Sequence, residues 1–174
     1  MTNINKEMKD AELGNNQTQD IPEGLYRALI EHSPICTIDI LLFDPEKKYT
    51  LLGRRTSEPY KGMYYAFGGR LRKNEGFEDA VIRIAKNETS VNMEASSITF
   101  GGIINEINTG SRFKDINYHA IDLYFCCIIS KATTISLDEQ HDEYKWFPVN
   151  DPALHPNIKT RIVNSLRALN ISCS

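Results

Sequence analysis

Two stretches of this chain carry side chains whose types and spacing could act on a phosphorylated substrate. The first runs from Phe67 to Val91 and opens on Gly68-Gly69-Arg70; five residues separate Gly69 from Glu75, seven separate Glu75 from Arg83, and Glu88 follows five positions later. Glycines let a backbone approach a phosphate or metal closely. Carboxylate oxygens suit Mg²⁺ or Mn²⁺, ions that also bridge to substrate phosphates. Arg54, Arg55, Arg70 and Arg72 bracket the glycine pair. Guanidinium groups pair with phosphates in bidentate fashion and stay charged at any working pH; the bland alternative is a solvated basic face. The second stretch is Leu137 to Pro148, where Gln140 and His141 sit among Asp138, Glu139, Asp142 and Glu143. Neighbouring carboxylates favour a protonated imidazole, and an unperturbed pKa of about 6.5 suits a general base; the bland alternative is a solvated surface histidine.

These groups need elements to hold them. From Gly76 onward Phe77, Ala80, Val81, Ile84 and Ala85 recur three or four apart, which predicts a helix with one buried stripe. On a 3.6-residue turn Arg83 and Glu88 then lie about 140° apart. Residues 35 to 43 are β-rich and mostly apolar, as in a strand buried on both faces. Asp39 interrupts that strand, and a charge there is costly unless paired: it is either half of an internal salt bridge or an acidic group at the base of a pocket. Residues 44–48 read as a turn, Tyr49–Arg55 as the second strand of a hairpin, 56–63 as a loop, and Tyr64, Tyr65 and Phe67 as a short aromatic strand. Ser97–Ile107 and Tyr118–Ser130 read as strands joined by a polar lid loop, 108–117; Asp122 in the second has no evident role. A further strand carries Tyr144, Trp146 and Val149, with Gln140 and His141 in the loop before it. Asn157–Leu169 reads as a structural helix with Ile158, Ile162, Ser165, Leu166 and Leu169 on one face. Near the N-terminus a short helix ends at Ser33-Pro34 with Leu25, Ala28, Leu29 and His32 as its stripe, after a polar tail over 1–21 that reads as disordered.

Length and composition bound the rest. At 174 residues one compact domain, over 22–174, is expected, with chain enough for a real core. A net charge of −3 gives no reason to expect nucleic acid or an anionic membrane as partner. No apolar run approaches a membrane span and the N-terminus lacks the apolar core of a secretory signal, so the expected location is cytoplasmic. The four cysteines show no metal-type pairing and read as free thiols in a reducing compartment.

The first stretch resembles the box of the Nudix hydrolases: Gly69, Glu75, Arg83, Glu88 and Val91 match its pattern. Ile84 and Asn87 stand where that pattern has Glu, Ser90 where it has Gly, and Phe67 where the family usually has Pro. A reduced box of this kind, together with Gln140-His141 before Trp146 and the run Leu51-Leu52-Gly53-Arg54-Arg55-Thr56, is similar to the GDP-mannose mannosyl hydrolase branch. The resemblance covers about residues 24 to 169. It implies a Nudix α/β/α sandwich with a mixed central sheet, and a homodimer. It implies one Mg²⁺, or Mn²⁺, held by the Gly68 carbonyl, Glu88 and Gln140, and a nucleotide-sugar substrate. Arg55, Arg70 and Arg83 would neutralise the departing GDP, Asp39 would lie near the substrate, and His141 would take a proton from water attacking C1 of the sugar. Glu75 is expected to support the turn rather than bind metal. A tyrosine is expected near the phosphates early in the strand from Tyr118, without the sequence deciding which. Two other readings stand beside this one: a diphosphatase whose missing ligands are replaced by Asp138, Glu139 or Asp142, and a non-catalytic nucleotide-sugar binder.

Overall fold

The structure is a computed structural model and describes residues 21–171. The expected tail, all but its last residue, and Cys173 lie outside the described residues. A seven-stranded sheet runs β3-β2-β1-β6-β5, with β4 paired to β1 and β7 to β2. Its strands are β1 (Ile35–Phe43), β2 (Tyr49–Arg55), β3 (Tyr64–Tyr65), β4 (Phe67–Arg70), β5 (Thr99–Asn108), β6 (Tyr118–Ile128) and β7 (His141–Pro148). β1 and β6 run parallel and every other pair antiparallel, so the sheet is mixed as expected. Helices α1 (Glu23–His32), α2 (Phe77–Thr89) and α3 (Pro156–Ile171) complete the sandwich. Among the described residues no helix is long and apolar enough to cross a membrane.

β1 forms the middle because its side chains alternate between two cores. Ile38, Ile40 and Leu42 pack under α2 with Ala80, Val81, Ile84 and Ala85, while Leu41 and Phe43 pack under α3 with Ile158, Ile162 and Leu169. Each such side chain contributes roughly 1.5–3 kcal/mol of burial, and a Leu42→Ala cavity would cost about 2–5 kcal/mol. The hairpin into β2 is closed by Asp44, whose Oδ1 accepts from the amides of Lys48 and Tyr49, both at 2.8 Å.

Several local expectations shift. Phe77 opens α2 but is 45% exposed, so the buried stripe starts at Ala80. Ser90 caps that helix in the left-handed region, φ 60°, which explains why a glycine is usual there. On α1 the stripe is rotated: Ile30 is the buried residue and Tyr26 meets Phe113 edge-on at 5.9 Å, leaving Leu25 and Leu29 exposed. Phe113 and Ile116 of the 109–117 loop are buried against Ile30, so α1 packs on the loop read as a lid. The strand read as 97–107 is preceded by a 3₁₀ turn at Ala95–Ser97, and the Tyr64–Phe67 segment divides into β3 and β4.

Candidate active site

α2 and β4 build one wall of a cavity of about 1020 Å³, large enough for a nucleotide with an attached group. Gly68 pairs with Asp39 across β4 and β1, and a Cβ at Gly68 would collide with the Asp39 carboxylate, so only glycine lets the strands close here. The Gly68 amide donates to Glu88 Oε2 at 2.9 Å, tying the glycine loop to the last turn of α2. Glu75 has the supporting role expected of it. Its carboxylate takes the Arg83 guanidinium and the Arg72 amide (3.0 Å); burial opposes its charge, yet those donors hold it below the usual carboxylate range. Arg83 also donates to the Arg70 carbonyl at 3.1 Å. Nε and Nη2 of its guanidinium thus fasten the loop, while the side chain still lines the cavity.

The cavity gathers most of the residues expected from the sequence. Asp39, Arg55, Gly68, Arg70, Arg83, Glu88 and Gln140 all line it. Arg55 is anchored through Nε to the Pro59 carbonyl at 2.7 Å, and Arg70 through Nη1 to the Leu71 carbonyl at 3.1 Å. Tyr118 lines the cavity, whereas Tyr124 is fully buried with its hydroxyl accepting from Asn164.

His141 is the exception. It is the first residue of β7 rather than part of a loop, paired with Arg55 of β2 across an irregularity in register. Strand pairing turns its ring inward: it is 3% exposed, edge-on to Phe67 at 5.0 Å, and it fits only because a Cβ at Gly53 would touch its Cδ2. Nδ1 lies 3.0 Å from Asp138 Oδ1 and Nε2 is buried without a partner. Burial pulls its pKa down, outweighing Asp138, which reverses the direction expected from the surrounding carboxylates. A neutral ring donating from Nδ1 follows. Asp138, not the imidazole, lines the cavity.

A divalent cation can be tested against this donor set. Burial, with Asp138 second, pushes Glu88 up to about 8, although the backbone amide of Gly68 and the charges of Arg55 and Arg83 pull the other way. Gln140 Nε2 donates to Asp138 Oδ2 at 3.0 Å, which leaves Oε1 as the acceptor end of the amide. Among the described residues no cluster of three or more His, Cys, Asp or Glu side chains is arranged to hold a metal. What this side of the cavity offers is one carboxylate, an amide oxygen and a carbonyl, hard oxygens of the kind that suit a divalent cation whose shell is completed by substrate. Asp142, one proposed replacement ligand, is bound instead to Arg54 on the exposed side of β7 at 2.8 Å.

Sequence reasoning missed the inner end of the cavity. There Arg161 of α3 is fully buried, with Nη2 at 3.1 Å from Asp39, 2.7 Å from Glu106 and 2.8 Å from Asp122. Asp39 is thus both things it was expected to choose between, a salt-bridge partner and a pocket acid. Burial and Asp122 raise its pKa well above the usual range despite Arg161. Burial likewise raises Asp122.

The profile of the NUDIX domain family matches residues 35–169. The low-salt glycan biosynthesis protein Agl8 of Haloferax volcanii is 26% identical over 148 residues, covering 82% of this chain and 88% of the relative. The NUDIX domain of Shewanella oneidensis NrtR, solved with ADP ribose, superposes with a TM-score of 0.63 at 19% identity, over 86% of this chain and 99% of that one. A MutT/nudix family protein of Enterococcus faecalis superposes with a TM-score of 0.61 at 18% identity, over 99% of this chain and 75% of that one. The two structures share the mixed-sheet fold with this chain.

Proposed function

The chain belongs to the NUDIX domain family, and we propose that it hydrolyses a nucleotide sugar, with GDP-mannose or a related GDP-hexose as first candidate, to GDP and free sugar. Hydrolysis of a nucleotide diphosphate compound is the chemistry of its family. The observation that carries attack at carbon rather than phosphorus is on α2. Ile84 and Asn87 line the cavity where the family pattern has glutamates, so Glu88 is the sole carboxylate this helix offers there. The name of the haloarchaeal relative, a glycan biosynthesis protein, supports a sugar-bearing substrate.

Arg55 and Arg70 would pair with the diphosphate, and Arg83 with Glu75 would keep the glycine loop in place. A bound Mg²⁺ or Mn²⁺, held by Glu88, the Gln140 amide oxygen and the Gly68 carbonyl, would neutralise charge on the departing GDP. Water would form the new bond to C1 as the bond from C1 to the diphosphate oxygen breaks, its electron pair leaving with GDP and C1 inverting. The proton would pass to the Asp138–His141 pair, whose carboxylate lines the cavity and whose imidazole backs it. A second reading, attack at phosphorus, is favoured by one observation: Asp138 and Glu139 also line the cavity, Asp138 close enough to act on Glu88. Phosphorus NMR of GDP-mannose incubated with the protein and Mg²⁺ separates the two. GDP as sole phosphorus product supports the first reading; GMP with mannose 1-phosphate would sink it. The homodimer implied by the resemblance is proposed with the exposed Leu25 and Leu29 in its interface; a single 19.8 kDa species in sedimentation would exclude it.

A further inference from the structure

The two ends of the cavity have opposite electrostatic character, and the inner end has no part in the reaction just described. Three acidic side chains converge there on one guanidinium, so no cation is left over for a further anion. Every nitrogen of that guanidinium is engaged: Nε with Asp122 (3.3 Å), Nη1 with the Tyr65 hydroxyl (2.9 Å), and Nη2 with the carboxylates. An incoming anion would have to compete with those acids for it. The side chains are graded by depth, Asp39 at 14% and Glu106 at 6% accessible, Asp122 at 2% and Arg161 at 1%. Asp39 and Glu106 are thus the groups that meet whatever enters. Burial raises Tyr65 and Tyr118 well above the ordinary phenol value, so both stay neutral hydroxyls, able to donate and accept. Tyr65 already donates to Glu106 Oε2 at 3.1 Å. A surface of phenols and acidic side chains suits hydroxyl groups, whereas an anion brought here would be desolvated beside three acids that already share one cation.

We propose that this inner end is a subsite for an uncharged, hydroxyl-rich group and works as a charge filter. It accepts the neutral glycosyl part of a nucleotide sugar and rejects the same sugar carrying a carboxylate, with Glu106 as the residue that sets the discrimination. The filter rests on the nucleotide-sugar reading above and narrows it.

GDP-mannose and GDP-mannuronate differ only at C6, hydroxymethyl against carboxylate, and isolate the charge. With Mg²⁺ present, wild-type kcat/KM should favour GDP-mannose by at least about tenfold. Glu106→Gln, which keeps the shape and removes the charge, should shrink that ratio at least about threefold, while the Kd for GDP stays unchanged because GDP does not reach the inner end. Equal use of both sugars by the wild type, or a ratio untouched in Glu106→Gln, would overturn the filter alone and leave nucleotide-sugar hydrolysis standing. Binding of GDP with neither sugar nucleotide bound or cleaved would remove the nucleotide-sugar reading, and the filter with it. The wild-type comparison decides the matter even where the variant does not fold.

Discussion

α2 and α3 lie on opposite faces of one sheet, and each sends a charged side chain into the same cavity: Glu88 from one, Arg161 from the other. The two charges are kept in opposite states of compensation. Glu88 is buried with a backbone amide as its donor and another carboxylate nearby, so its charged form is disfavoured. Arg161 is buried among three carboxylates and two phenols. Burial works against its charge, but Asp39, Tyr65, Asp122 and Glu106 hold it protonated. A buried carboxylate whose charge is disfavoured gains from a cation brought beside it, while a buried cation already shared by three acidic side chains has little to offer a further anion. On the proposed reading, the α2 end takes the diphosphate and metal, and the α3 end the neutral part of the substrate.

The sharpest way to break that contrast is at the pair behind the α2 end. Asp138→Asn and His141→Gln should each lower kcat by about 10²–10⁴-fold, the usual worth of a positioned base, while calorimetry finds GDP binding nearly intact. Activity surviving both changes would remove the pair from the mechanism. Next in size is Arg161→Met. It leaves three buried carboxylates without their cation and should cost about 3–5 kcal/mol of stability, read as a lower urea midpoint. A midpoint near wild type would mean the carboxylates were protonated and the cluster not ionic.

Glu88 should behave in the opposite sense. Its folded pKa of about 8 lies above the ordinary glutamate value of 4.5, so between those values the folded protein keeps a proton that the unfolded chain has lost. Its contribution to stability therefore falls as pH rises through that window. In chelator, Glu88→Gln should flatten the fall in urea midpoint between pH 5 and pH 8, and Mg²⁺ affinity of the wild type should climb towards pH 8 as the proton is displaced. An unchanged pH slope in the variant would show that Glu88 is not the titrating group. The smallest effect is at the end of α2. Ser90→Gly relieves a left-handed residue at φ 60° and should raise stability by about 1 kcal/mol, with activity unaffected.

The same contrast explains what the sequence could and could not disclose. The α2 end is local: the glycine pair, Glu75, Arg83 and Glu88 fall within one strand–loop–helix unit, and periodicity places them. The α3 end is assembled over long range, from β1, β3, β5, β6 and α3. It left traces nonetheless. Asp39 and Asp122 each interrupt an apolar strand, and Arg161 sits between Ile158 and Ile162 on the buried stripe of α3. Two unexplained anions and one unexplained cation in buried positions were a matched set. His141 was misjudged for a different reason. Charge composition alone predicts a raised pKa, but the strand begins at His141, three residues before Tyr144, the first of its aromatic pattern, and pairing with Arg55 buries the ring behind Phe67. Desolvation then outweighs the carboxylates.

The most direct test of the account is hydrolysis of GDP-mannose in heavy-oxygen water with Mg²⁺, following the sugar anomer by proton NMR and the isotope by mass spectrometry. Attack at carbon predicts label in the free hexose, unlabelled GDP and an early β-mannose signal. Label in a phosphate product, with mannose 1-phosphate accumulating, would contradict the reading built on Glu88 as the lone carboxylate of α2 in the cavity.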